Sequence, residues 1–243
     1  MNAEMLRQLQ TVAERLTPLG TEFAFLGGAV LGLLINDPAA APVRPTKDVD
    51  VLVGTMNRSA HTNLEERLRQ AGFMHDMSEG APLCRWRLDE ITVDILPVTR
   101  NVFGWKSQWF VEALSHAQDI LVDNAGKVRV VTAPFLLATK LEAFKGRGNS
   151  DWYGSQDLED MIALLDGRSG LVEEIVASPA AIKRYLASEF AKMMECREFL
   201  DALPGHLPPD PASQRRQPVI LDRLRQIVSI ADAAPAPPST GKH

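Results

Sequence analysis

The sequence predicts an α+β protein: a mixed-sheet core over residues 1–131, a mainly helical region over 132–230 and a disordered tail over 231–243. Three observations carry this. Short runs rich in β-branched residues recur in the first half, bounded by Gly, Pro and Asp. After Pro134 the apolar residues switch to three- and four-residue spacing, the mark of helices. From Ala231 onward, Pro235, Pro237, Pro238 and polar residues leave nothing to bury.

Taken in order, Met5, Leu6, Leu9, Val12 and Leu16 predict an amphipathic helix over 2–17 that stops near Pro18 and Gly20. Glu22 to Leu26 reads as a strand, Gly27-Gly28 as a junction, and Ala29 to Ile35 as a helix. Three prolines make Asn36 to Thr46 a loop. Val49 to Val53 is a strand, and 57–71 a charged helix with Leu64 and Leu68 inward. Leu83 to Leu88 and Ile91 to Leu96 are two strands with only Asp89-Glu90 between them, the spacing of a tight hairpin without its usual glycine. A helix over 106–116 and a strand over Val128 to Val131 complete the first half. Helices follow at Phe135 to Phe144, Leu158 to Leu165, Leu171 to Val176, Ile182 to Leu200 and Val219 to Ile230, with a proline-rich loop over 203–218.

Composition narrows the function classes. Apolar residues are 45% of the 243 and charged residues 23%, as in ordinary globular proteins. A net charge of −5 argues against a generally basic nucleic-acid coat. No apolar run approaches a membrane span, and the MNAEMLRQLQ start is helical rather than a signal region, so the chain reads as cytoplasmic with no membrane partner. Cys84 and Cys196 are far apart and predict no disulfide, and no Cys/His group has zinc spacing.

The chemistry concentrates in Lys47-Asp48-Val49-Asp50-Val51-Leu52-Val53. Side chains alternate along a strand, so Asp48 and Asp50 share one face while Val49 and Val51 turn to the other. Two neighbouring carboxylates repel, and a divalent cation with hard oxygen ligands resolves the conflict. Ile91-Thr92-Val93-Asp94-Ile95-Leu96 places one more acid in a mostly apolar strand, where it needs a partner or a metal. If that strand neighbours the first, three carboxylates converge, as phosphoryl transfer with two metals requires. Gly27-Gly28, at a strand-to-helix junction, would let the backbone approach a phosphate.

The order Gly-Gly, Asp-x-Asp, then a separate strand Asp resembles the nucleotidyltransferase superfamily with the polymerase-β-like fold. The segments around Lys140, Lys145 and Arg147 and around Asp157 and Asp160 look like its AbiEii/AbiGii toxin-like branch, which includes MenT-type toxins. The resemblance implies Mg²⁺ or Mn²⁺ on Asp48, Asp50 and Asp94, with an NTP as substrate. It implies Gly27 and Gly28 at the phosphates, Lys140 on the triphosphate, and Asp157 across the site from it. Arg44, Thr46, Lys145 and Arg147 would belong to the same pocket. It further implies NMP transfer to an acceptor with release of pyrophosphate. The acceptor would be an RNA end such as tRNA, a protein or a small molecule, and an antitoxin would be the partner of a toxin. Three departures are visible: Ala29 follows the glycine pair, nineteen residues separate Gly28 from Asp48, longer than the superfamily's usual spacing, and Gln156 stands where an arginine often precedes the aspartate. The alternative is a catalytically inactive nucleotide- or partner-binding module on the same fold.

Overall fold

The computed structural model describes residues 3–54, 58–98, 107–122, 126–146 and 151–230. The predicted tail lies outside the described residues, as do the outermost residues of the helices expected over 2–17, 57–71 and 106–116. Helix α1 (Ala3–Leu16) buries Leu9, Val12 and Leu16 on its apolar stripe. A 3-10 turn leads into strand β1 (Phe23–Leu26). Past Gly27 come a second 3-10 turn, Gly28–Val30, and a single turn of helix, α2 (Leu31–Leu34), shorter than the spacing suggests. Strand β2 (Asp48–Val53) follows the proline loop and completely buries Val49 and Val51.

After α3 (Arg58–Gln70) the chain adds a two-residue strand, β3 (Met74–His75), too short to leave a pattern. Strands β4 (Arg85–Leu88) and β5 (Ile91–Pro97) form the expected hairpin. Its turn works without glycine because Asp89 takes a φ of 51°, a conformation short polar side chains tolerate. Next come α4 (Phe110–Ser115), β6 (Gln118–Val122) and β7 (Gly126–Val130). Strand β6 was not predicted; it is an edge strand, mostly exposed, with no buried stripe to read.

The sheet runs β3-β4-β5-β2-β1-β7-β6. It is mixed: β2 pairs parallel with β5 and β1 parallel with β7, while the other neighbours are antiparallel. The fold class is therefore α+β, as predicted.

The helical half consists of α5 (Ala133–Gly146), α6 (Gln156–Gly167), α7 (Leu171–Ala177), α8 (Ala180–Glu195), α9 (Arg197–Ala202), α10 (Pro211–Gln214) and α11 (Gln217–Ser229). Helix α5 is buried on nearly every side and packs against α4, α6, α7 and α8. The helix expected over Ile182 to Leu200 is two, since Cys196 takes an extended conformation (ψ 118°) between α8 and α9. The proline-rich stretch is not all loop. Asp210 caps α10 by accepting from the Ala212 and Ser213 amides, with Pro211 starting the helix. One buried apolar cluster runs through both halves, from Leu9 to Ile227.

The proline loop between α2 and β2 is tied to the helical half where it begins. The Asn36 and Asp37 amides both donate to the Gly167 carbonyl at 3.0 Å. Arg216, the N-cap residue of α11, donates to Asp37 at 2.7 Å and to the buried Asp166 carboxylate at 2.6 Å. Removing one partner of such a buried pair leaves the other charge unmet. Arg216→Met should therefore lower unfolding free energy by about 2–4 kcal/mol. Urea denaturation monitored by circular dichroism would measure it, and an unchanged midpoint would show that this tie is dispensable.

Candidate active site

Register decides which side chains meet. In the parallel pair β2–β5, Asp50 stands opposite Asp94 and Asp48 opposite Thr92. Opposite residues point to the same face. The row continues with Leu26 of β1 beyond Asp50 and Arg85 of β4 beyond Asp94. Asp48, Asp50 and Asp94 thus share the face that Val49 and Val51 turn away from. They open into a cavity of about 570 Å³ that Arg44, Lys140 and Asp157 also line.

Gly27 lies beneath Asp50. Its φ is 75°, and a Cβ added there would sit 2.0 Å from Asp50 Oδ2. Glycine is needed for both reasons, conformation and room. The expected role was a phosphate cradle at a helix start, but the helix that follows is one turn long, so what the structure shows is space for a carboxylate. Gly28 does line the cavity, next to Arg44 and Thr46.

Arg85 is the residue that the sequence reading missed. Its Nε and Nη2 donate to the two Asp94 carboxylate oxygens, both at 2.8 Å, and Nη2 also reaches Asp48 Oδ2 at 3.1 Å. The bidentate bond to Asp94 raises the guanidinium pKa despite partial burial, and the charges of Asp94 and Asp48 add to it. A signal was available. Counting back from the two-residue turn at Asp89-Glu90 places residue 85 opposite residue 94. Thr46 Oγ1 donates to the other Asp48 oxygen at 3.0 Å.

On the helical wall, Lys140 projects from the middle of buried α5. Its Nζ lies 2.9 Å from Asp157 and 2.7 Å from Asp160, both on α6. Asp160 is only 1% exposed and also takes a two-point contact from Arg44, at 2.9 and 3.1 Å. Burial by itself would lower the Lys140 pKa; Asp160, Asp157 and then Asp50 outweigh it and raise the value. Asp157 therefore does not stand across a gap from Lys140 but is paired with it directly, and Asp160, absent from the expected set, is the hub. Ser155 caps α6 and fixes where both acids begin. Lys145 does not line the cavity; its Nζ pairs with Glu189 of α8 at 2.6 Å. Arg147 lies outside the described residues. Cys84 lines the cavity beside Asp94, and burial pushes its thiol up to about 11, with the Asp94 charge adding to the shift.

Among the described residues, no three His, Cys, Asp or Glu side chains are placed to hold a metal ion together. Asp48 and Asp94 share a guanidinium instead. The donor chemistry nevertheless suits a hard divalent cation: carboxylate oxygens on adjacent, buried strands. The Arg85 guanidinium marks a place where positive charge is already held. The residues fit Mg²⁺ or Mn²⁺ provided that Arg85 gives way.

No protein-family model matches the chain, and no curated protein matches it. Among solved structures, the chain is similar to an antigenic nucleotidyltransferase-like protein from Paracoccidioides brasiliensis (20% identity, 83% of this chain and 94% of that one, TM-score 0.49). It is similar also to the antibiotic-resistance factor ANT(2'')-Ia (11% identity, 80% and 97%, TM-score 0.49). A third likeness is to JHP933 from Helicobacter pylori (12% identity, 96% and 92%, TM-score 0.44). Among the described residues no helix is long and apolar enough to cross a membrane.

The buried Lys140 network yields a stability prediction. Lys140→Met removes the buried cation that Asp157 and Asp160 share, with Arg44 still on Asp160, and should cost about 3–5 kcal/mol. Because the folded pKa is raised, this contribution is complete below the ordinary lysine value of 10.5 and is lost as pH rises through the folded value. The gap between wild type and variant, measured by urea titration, should therefore be widest near neutrality and narrow in alkali. A gap that grows with pH would contradict the pairing.

Proposed function

We propose that the protein is a metal-dependent nucleotidyltransferase that moves an NMP from an NTP to an acceptor. One observation carries the reading: adjacent parallel strands bring Asp48, Asp50 and Asp94 to one face, in a cavity that Arg44 and Lys140 also line. A divalent cation bound there would neutralise phosphate charge and lower the pKa of an acceptor hydroxyl. Asp48 and Asp50 would hold it, and Gly27 leaves Asp50 the room to do so. Asp94 would complete the set and take the acceptor's proton. The acceptor oxygen would bond to the α-phosphorus as the bond to the bridging oxygen breaks, with pyrophosphate leaving. Lys140 and Arg44, held by Asp160, would act from the helical wall as fixed positive charge near the phosphates rather than as free cations.

The Arg85 clamp supports a second reading, a nucleotide-binding module in which Arg85 permanently fills the place of the cation. Labelling separates the two. Mg²⁺, α-labelled NTPs and total RNA or cell lysate should give a labelled acceptor, which also identifies RNA, protein or small molecule. Asp50→Asn should reduce transfer by at least about 10²-fold while the circular dichroism melt is kept. Full activity in Asp50→Asn would take Asp50 out of the site, and no transfer with any NTP would favour the binding module. The toxin role, with an antitoxin as partner, is the finer part of the proposal. Expression should arrest growth, and Asp50→Asn should relieve the arrest; arrest by both forms would uncouple it from transfer.

A further inference from the structure

Arg85 is held by the acids of the site yet stands outside the machinery just described. Three carboxylates on one strand face repel one another, so a structure without a divalent cation needs another source of positive charge. Arg85 supplies it. It sits opposite Asp94 by register, forks onto both Asp94 oxygens at 2.8 Å and reaches Asp48 at 3.1 Å. A guanidinium cannot lose its proton in a protein, so it can leave these acids only by moving. Movement is open to it, because the Arg85 side chain is 27% exposed at the rim of the cavity beside Pro82 and the largely exposed Leu83. Asp94, by contrast, is buried and fixed in the sheet.

We propose that Arg85 is an exchangeable counter-cation: it holds Asp48 and Asp94 while the site is metal-free, and a divalent ion must displace it to bind. The inference rests on the cation reading of the site but makes a claim of its own, namely that the wild-type chain binds metal more weakly than its carboxylates alone would allow. A residue that merely preorganised Asp94 would have the opposite effect on metal affinity.

The test uses the full chain with Mn²⁺ alone, reading the free-ion signal by electron paramagnetic resonance. Arg85→Gln removes the charge and the fork, and should bind Mn²⁺ about tenfold more tightly than wild type, the scale of one charge-assisted contact no longer broken. The same variant should gain more thermal stability from Mn²⁺ than wild type does. Adding Asp50→Asn to Arg85→Gln should abolish the tight binding; survival of it would place the ion elsewhere and overturn the proposal. Equal or weaker binding by Arg85→Gln would overturn the exchange while leaving the cation reading intact, since wild type would still bind. No binding by either protein would overturn both. Should Arg85→Gln fail to fold, Arg85→Lys keeps the charge and loses the fork. Several-fold tighter binding is then expected, and an unchanged affinity overturns the exchange.

Discussion

A lysine in the centre of a buried helix sets the terms for everything around it. Helix α5 is apolar on nearly every side, so the charge of Lys140 must be met inside the protein. Asp157 and Asp160, three residues apart on one face of α6, meet it. Asp160 is almost inaccessible and accepts from Arg44 as well, so the end of the proline loop, α5 and α6 converge on a single carboxylate. A buried ion network of this kind adds little net stability over a well-packed apolar core, but it specifies one arrangement, because any other leaves a charge stranded. Here the arrangement it specifies is the position of the helical wall relative to strand β2.

The long spacer between Gly28 and Asp48 takes its meaning from the same network. Near its start, Asp37 is held by Arg216, and the Asn36 and Asp37 amides by the C-terminal carbonyl of α6. Near its end, Arg44 is held by Asp160. The nineteen residues are therefore laid across α6, and Thr46 arrives in position to hydrogen-bond Asp48.

Much of this was legible in the sequence, for reasons that also explain what was not. Strands β1, β2, β4, β5 and β7 show as apolar, β-branched or alternating runs because one or both of their faces are buried. Strands β3 and β6 lie at the two sheet edges, short or exposed, and leave no periodic trace. The three acids were legible because carboxylates are costly in strands and stand out there. Whether they met was not, since the pairing of β2 with β5 joins segments more than forty residues apart. Lys140 entered through the family-like helical segment, as a contact to the triphosphate; its burial and its pairing with Asp157 and Asp160 depend on how α5 packs against α6, which the sequence does not display. Arg85 was not singled out among the residues of its strand. Only the turn geometry at Asp89, which sets the pairing, turns it toward Asp94.

The balance of charge around the cavity limits what can enter it. Among the described residues that line it, Asp48, Asp50, Asp94 and Asp157 are set against Arg44, Arg85 and Lys140, so carboxylates outnumber cations by one. Arg44 and Lys140 are already committed to Asp157 and Asp160, which leaves them little attraction for a distant anion. A bare polyphosphate entering the cavity would meet the excess negative charge of the strand acids at close range, where the effective dielectric is low and screening weak. A polyphosphate that arrives with a divalent ion presents the opposite sign to the three strand acids. On the proposed reading, the excess of carboxylates over fixed cations is what a metal would offset, and the same excess would link the displacement of Arg85 to the arrival of the nucleotide.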